Sequence, residues 1–395
     1  MDVSDEEFGG DYSVAKWIGD QLSKKHDKPF FLACGIYRPH EPWFVPKKYF
    51  NLFPLADIQL PPGYRENDLD DLSTEAQRRG RNRYFAHIQK HKQWKLAIQG
   101  YLASIAFADA MVGRVLDELD NGPNGDNTIV VLWSDHGWHL GEKEHWQKYT
   151  AWRVCTRVPL IIRAPQGSPG LKEGTKAGTV CDQPVNLLSL YPTLTDLVGL
   201  PKKPSNGGPS LVPLLADPDH EWPHVSITYL DRPENYGISG RRWRYIRYAD
   251  GEQELYDIES DPFEWKNLSG DPKQASRIEA FQKRAPTKFA DFVPAKKHVL
   301  PKLVWNQIAN ETLPVSSTRG KPLDIYFNNK STQPVDIFRQ DDSGELHPYG
   351  TLERGWFKPY QARTGEVWLV TDKKNRRLGY FAIGDSTAEA IIPEN

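Results

Sequence analysis

Thr128-Ile-Val-Val-Leu-Trp-Ser-Asp135-His136-Gly137-Trp-His139-Leu-Gly-Glu-Lys-Glu-His145-Trp-Gln-Lys148 joins an apolar, β-branched run directly to a cluster of side chains that bind cations and anions. Residues 128–133 read as a buried strand of an α/β sheet, of the parallel kind covered on both faces, and ligands of such sheets bind beyond the strands' carboxyl ends. Asp135 and His136 stand at that end. A carboxylate beside an imidazole suits a divalent cation, and Gly137 lets the backbone turn so that both groups point at one place. Lys148 adds a cationic donor for an oxyanion. Each residue also has a plainer reading: Asp-His at a strand end is commonly a helix N-cap with a surface histidine, and a lone lysine is a solvated charge. His139 and His145, each beside a tryptophan, read as packing or hydrogen-bonding residues.

A second apolar run, Lys28-Pro-Phe-Phe-Leu-Ala-Cys-Gly-Ile-Tyr-Arg38-Pro39-His40-Glu-Pro42-Trp43, reads as another strand that leaves the sheet through a proline-stiffened loop. An imidazole held there is a candidate proton donor to a leaving group, because its ordinary pKa lies near neutrality. The alternative is a loop histidine that caps or packs.

With Phe30-Phe-Leu-Ala-Cys-Gly-Ile-Tyr-Arg-Pro-His-Glu-Pro42, Ser134-Asp-His-Gly-Trp-His-Leu-Gly-Glu142 and Lys148 in one chain, the sequence resembles the sulfatases of the alkaline-phosphatase superfamily, in their iduronate-2-sulfatase-like branch. Thr156-Arg-Val-Pro-Leu-Ile-Ile-Arg163, Val185-Asn-Leu-Leu-Ser-Leu-Tyr-Pro-Thr-Leu194 and Glu254-Leu-Tyr-Asp-Ile-Glu-Ser-Asp-Pro-Phe-Glu-Trp-Lys-Asn-Leu268 follow in the family's order, so the resemblance spans about residues 11–268. It implies an alkaline-phosphatase-like α/β core, a mixed or parallel sheet flanked by helices, acting on a sulfate ester of a carbohydrate or similar alcohol. It also implies that Asp135 and His136 ligate calcium, that His40 and Lys148 contact the sulfate, and that His40 protonates the departing alcohol.

The family opens with a strand ending in paired aspartates and with Cys-X-Pro-Ser-Arg, or its serine version, whose first residue becomes formylglycine. Cys34 precedes Gly-Ile-Tyr-Arg, Cys155 precedes Thr-Arg-Val-Pro and Cys181 precedes Asp-Gln-Pro-Val, and no serine supplies the motif. The chain therefore reads as beginning mid-domain, with a truncated reading frame ahead of a separate subunit or remnant as the explanation. Calcium is expected to bind weakly, and the polypeptide alone to have little or no sulfatase activity. A phosphohydrolase or phosphonate-ester hydrolase of the same superfamily, and a noncatalytic glycan- or protein-binding remnant, are the competing readings.

Composition bounds the remainder. In 395 residues, 50 Lys and Arg oppose 52 Asp and Glu, a net charge of -2, which argues against nucleic acid or an anionic membrane as partner. Three cysteines make no disulfide framework or zinc spacing. The sequence shows no run of eighteen apolar residues and no export leader, while the resemblance implies a commonly exported family, so no compartment is assigned. Helical spacing predicts one long helix over 93–120, a helix over 187–198 interrupted by Pro192, and another over 274–283, with a further strand over 158–163. Residues 65–83 read as a surface insertion with a short helix, and short strands near Ile227, Tyr245 and Leu255 as a small antiparallel sheet. Arg241, Arg242 and Arg244 read as surface arginines on a strand, with a substrate-anion role as the alternative. The domain reading is 1–222 for the α/β core, 223–284 for its C-terminal subdomain, 285–315 for a linker rich in Lys and Pro, and 316–395 for a β-domain.

That last segment carries Leu323-Asp-Ile-Tyr-Phe-Asn-Asn329, Val335-Asp-Ile-Phe-Arg339, Val367-Trp-Leu-Val-Thr-Asp372 and Leu378-Gly-Tyr-Phe-Ala-Ile383, four strand-like runs that make a small β-sandwich. With Asn328-Asn-Lys-Ser331, Asp342-Ser-Gly-Glu345 and Tyr349-Gly-Thr-Leu352, it resembles the β-domain of the von Hippel-Lindau tumour suppressor. That domain reads a hydroxyproline peptide through a tyrosine, a tryptophan, a serine and a histidine. Tyr349 and Trp368 match the first two, while Ala362 and Glu366 stand at the other positions. A peptide or glycan is the ligand implied, and core packing of both aromatics is the plainer alternative.

Overall fold

Apolar residues recurring at helical spacing fold Trp94–Asp120 into one 27-residue helix in the computed structural model, which describes residues 2–290, 300–308 and 312–394. Ala103, Phe107 and Met111 on this helix pack with Ala15 of the helix Asp11–Leu22 and with Val45 and Tyr49. Phe107 and Met111 are fully buried, and each such side chain stabilises by about 1.5–3 kcal/mol. Among the described residues this is the one helix long and apolar enough to cross a membrane, and 33% of its most apolar window is buried in the fold.

The chain divides into two units, 1–292 and 293–395. In the first, β1 (Val130–Trp133) pairs with β4 (Leu160–Arg163), and the pairing is antiparallel where a parallel neighbour was expected. The reason lies in the connection. A parallel partner needs a crossover back to the far end of the strand, whereas residues 134–159 stay at the carboxyl end, tied there by Ser134 N to Pro159 O (3.3 Å) and Gly137 N to Cys155 O (2.7 Å). Within this connection β2 (His139–Leu140) pairs with β3 (Trp146–Gln147). Coverage on both faces is also corrected: Leu132, Trp133 and Ile161 are exposed. Residues 28–36 form no strand, and Phe31 is 82% exposed, although Leu32 packs against Ile18, Leu22 and Val130.

Four strands, β5 (Ser226–Tyr229), β6 (Tyr236–Ser239), β7 (Trp243–Arg247) and β8 (Gln253–Asp257), form an antiparallel meander in that order. Alternation gives it two buried faces. Ile238, Tyr245 and Leu255 meet Ile278 and Phe281 of the helix Ala275–Gln282, whereas Ile246 and Tyr256 meet Trp152, Leu69 and Leu72. Residues 65–83 are thus not a surface insertion throughout, since Asp68, Leu69 and Ala76 are buried. Pro192 does not interrupt a helix either, because it falls in the first turn of Leu190–Leu197, where a missing N–H costs nothing.

Among the described residues the second unit holds seven strands rather than the four runs that alternation made visible: β9 (Pro322–Asn329), β10 (Val335–Gln340), β11 (Leu346–Leu352), β12 (Phe357–Arg363), β13 (Val367–Thr371), β14 (Arg377–Ala382) and β15 (Ala388–Ile392). Sheets ordered β11-β10-β13-β14 and β12-β9-β15 share one core that includes Ile325, Phe327, Ile337, Trp368, Phe381 and Ala390. Part of the expected linker belongs here. Lys302 and Asn306 bridge to Glu389 and Tyr380, and the Trp305 ring lies 5.1 Å from Phe381 over Gly379, where a Cβ would come within 2.2 Å of the indole. Residues 291–299 and 309–311 of that linker lie outside the described residues.

Phe327 is fully buried and its ring meets those of Tyr360, Trp368 and Phe381. Phe327→Ala is expected to cost the second unit about 3–5 kcal/mol. Hydrogen exchange checks this: β9–β15 amides should lose protection while β5–β8 keep theirs, and equal loss in both sets would contradict two separate cores.

Candidate active site

At the end of β1 the chain passes so close to Val154 that a Cβ on Gly137 would lie 2.2 Å from its carbonyl oxygen. This close approach aims the preceding pair. His136 Nδ1 donates to Gly137 O at 2.9 Å, which leaves the Nε2 lone pair to face Asp135 Oδ2 at 3.6 Å and to accept from Lys148 Nζ at 2.9 Å. Lys148 is held on a tense piece of backbone. Gln147 (φ 84°) and Tyr149 (φ 77°), on either side of it, both take left-handed conformations that non-glycine residues seldom adopt. Around them, His145 Nε2 lies 2.9 Å from Lys148 O, Asn82 Nδ2 donates to Trp146 O (2.9 Å), and His139 Nε2 lies 2.6 Å from Thr150 Oγ1. His139 and His145 thus serve as hydrogen-bonding residues, and what they hold is the lysine segment.

The His40 loop is fixed from below by Asp11, whose buried carboxylate accepts from Tyr37 N (2.8 Å) and Arg38 N (3.0 Å). His40 Nδ1 donates to Glu41 O at 2.7 Å and lies 2.8 Å from the Tyr37 hydroxyl; its Nε2 has no hydrogen bond among the described residues. The loop then meets the lysine segment, because Gln147 Nε2 donates to Glu41 Oε1. The His40 and His136 rings stand 6.0 and 6.3 Å from the Trp138 ring. His40 and His136 thus border one indole, and Asp135 and Lys148 lie against His136. Asp11 and Gln147 gave no motif signal, since both depend on contacts with residues far away in sequence.

Buried charges lock this arrangement to the four-stranded sheet. Arg244, expected at the surface, is buried and pairs with Glu264 (Nε to Oε1, 2.6 Å), donates to Ser239 Oγ and reaches Ala151 O. Arg242 and Arg241 pair with Asp257 and Asp219 instead. Glu264 Oε2 accepts from Arg153 N at 2.6 Å, and its carbonyl accepts from Lys143, a buried lysine that also pairs with Asp68 at 3.1 Å. Glu254 accepts from Trp152 Nε1 and from the hydroxyls of Tyr248 and Tyr256 at 2.8, 2.6 and 2.5 Å.

Asp135 and His136 give a carboxylate oxygen and a ring nitrogen facing one point, donors that suit a divalent cation. Calcium takes six to eight oxygen ligands, so Asp135 offers a donor of the preferred kind, while the His136 ring nitrogen, already facing Lys148 Nζ, is the less suited of the two. Among the described residues the group of three close metal-type side chains is elsewhere, at Asp341, Glu345 and His347 in the second unit.

A sulfatase family model matches residues 6–200, and a model of the C-terminal region of N-sulphoglucosamine sulphohydrolase matches residues 141–289. Residues 6–289 belong to the sulfatase family. They are similar to a sulfatase of Formosa agariphila, 39% identical over 279 residues that make 70% of this chain and 53% of the relative. They are also similar to iduronate 2-sulfatase of Homo sapiens, 35% identical over 273 residues, 62% of this chain and 48% of the relative. The chain spans about half the length of these curated relatives. Among solved structures, the phosphonate monoester hydrolase of Agrobacterium radiobacter matches with a TM-score of 0.58 at 21% identity, over 71% of this chain and 60% of that one, and shares the α/β fold.

Two outcomes follow for this sulfatase unit. Arg244→Ala leaves Glu264 buried without its partner and is expected to cost about 3–5 kcal/mol in denaturant unfolding, so a loss below about 1 kcal/mol would contradict the locking role. Burial pushes the His139 and His145 pKa values down, so their contribution is present above the unfolded value near 6.5 and is lost as pH falls below it. Burial pushes Asp68 up to about 7, a contribution of opposite sign, lost as pH rises toward 7. The melting temperature of Asp68→Asn should therefore fall more steeply than wild type between about pH 7 and 5; an equal or shallower slope would contradict the assignment.

Proposed function

We propose that residues 6–289 carry the leaving-group and cation side of a sulfuric-ester hydrolase site acting on a sulfated carbohydrate. The observation that supports this reading most is the placement of His40 and His136, from segments nearly a hundred residues apart, beside the same Trp138 ring, with Asp135 and Lys148 against His136. Lys148 offsets charge on the sulfate oxygens. His40, its ring oriented by Tyr37 and Glu41 O and its Nε2 directed away from them, protonates the departing alcohol. Asp135 and His136 are this chain's share of a calcium shell, and calcium bound there would polarise the sulfate. None of the three cysteines and no serine lies in the formylglycine context, so the covalent step has no nucleophile of that kind in this chain and the polypeptide alone is inactive. The similarity to sulfatases at 35–39% identity favours sulfate over phosphonate esters, for which only the fold speaks.

The second unit reads as an accessory β-sandwich of von Hippel-Lindau type for a peptide or glycan. Tyr349 and Trp368 lie 4.6 Å apart, but Ala362 offers no hydroxyl, and buried Glu366 already accepts from Trp368 Nε1 and Arg363 N at 3.0 Å each. Hydroxyproline recognition is accordingly not part of the proposal.

The test has two arms. Purified chain with calcium and a chromogenic aryl sulfate should give turnover no higher than a mock preparation; clear turnover would overturn the inactivity. Titration with sodium sulfate should shift the His40 and His136 imidazole resonances of wild type together and leave Lys148→Ala unmoved, and shifts identical in both would remove the shared oxyanion site.

A further inference from the structure

We propose that the basic surface formed by the helix Arg83–Lys90 and the turn behind it is a second binding site, for the polymer chain of a sulfated polysaccharide. This rests on the sulfatase reading for the choice of polyanion. Overall the protein is slightly acidic, yet between Glu75 and Asp109 there is no Asp or Glu. Arg78, Arg79 and Arg81 are neutralised by Glu75, Asp231 and Glu144. Arg83, Lys90, Lys92 and Lys95 are exposed and have no carboxylate partner among the described residues, and the exposed rings of His87 and His91 lie 4.3 Å apart, tilted by 46°, on the same helix and turn. Like charges collected in this way, without compensation, destabilise the free surface and favour a polyanion that releases its own counterions on binding.

A groove gives the surface shape. About 590 Å³ in volume, it is bounded by Leu55, Leu60, Leu96 and Gln89, with Lys92 and Lys95 at its edge. Aliphatic walls take the C–H faces of sugar rings while ammonium groups reach sulfates, and the volume is that of a small-molecule cleft, roughly 300–1,000 Å³. A concave site suits a chain better than a flat bilayer. The position also fits: Asn82, which caps this helix, donates to Trp146 O two residues before Lys148, and the eight-residue helix places the groove roughly 12 Å further along at 1.5 Å per residue. A polymer lying in the groove would run toward the lysine segment.

The experiment is calorimetric titration of the full chain with dextran sulfate and with unsulfated dextran, repeated at raised salt. Wild type should bind only the sulfated polymer, more weakly as salt rises, and a folded Lys90→Glu/Lys92→Glu/Lys95→Glu variant should bind about tenfold or more weakly. A control that reverses Lys24, Lys25 and Lys28, exposed elsewhere on the same unit, should bind as wild type. Unchanged binding by the groove variant, or an equal loss in the control, would overturn the site. Loss in Lys148→Ala with the groove variant unaffected would move the polymer to the His40 and Lys148 site and overturn the groove while leaving the sulfatase reading intact. Capture of phosphatidylserine vesicles that exceeds dextran sulfate binding, and is lost in the groove variant, would make the partner a membrane and overturn the proposal.

Discussion

The buried ion pair between Arg244 and Glu264 is the contact on which the rest of the first unit depends. Both side chains are almost wholly out of water, where a lone charge is costly, and each also bonds the backbone of residues 151–153, Arg244 at Ala151 O and Glu264 at Arg153 N. The sheet β5–β8 is thereby fastened to the segment that follows Lys148. At its other end that segment grows out of β1 through Asp135 and His136. A loop anchored at both ends can hold the left-handed backbone at Gln147 and Tyr149 that a free loop would relax.

Charge and neutrality are divided between layers. Outside the pair, Lys143 and Asp68 carry the same logic to residues 65–83, while Glu254 is satisfied by three neutral donors. Burial pushes the His139 and His145 pKa values down, and the two rings meet a hydroxyl and carbonyl oxygens around the Lys148 segment. Exposed pairs such as Lys16–Asp20 add little by comparison, since solvent screens them.

Local pattern made much of this legible. The run 128–133, the helix through Phe107 and Met111, the meander around Tyr245 and the motif residues His40, Asp135, His136 and Lys148 all carry their signal within a few neighbours. What escaped reading depends on distant partners. Residues 28–36 have strand composition, but without a ladder partner among the described residues they form no strand. Antiparallel pairing of β1 with β4 follows from where the connection stays, which hydrophobicity does not encode. Arg244 and Asp68 looked like surface charge because their partners, Glu264 and Lys143, lie 20 and 75 residues away. β11 and β12 carry exposed polar residues along much of their length, so alternation there is weak.

The Arg244–Glu264 pair holds the backbone of residues 151–153 and, through the turn that binds Gly137 N to Cys155 O, sets the orientation of His136. Imidazole ¹⁵N shifts at pH 8 measure this directly in wild type and in Glu264→Gln. His136 of wild type should carry its proton on Nδ1, with Nε2 unprotonated, and the variant should show an averaged mixture of tautomers. A single, unchanged tautomer in both proteins, or a proton on Nε2 in wild type, would contradict it.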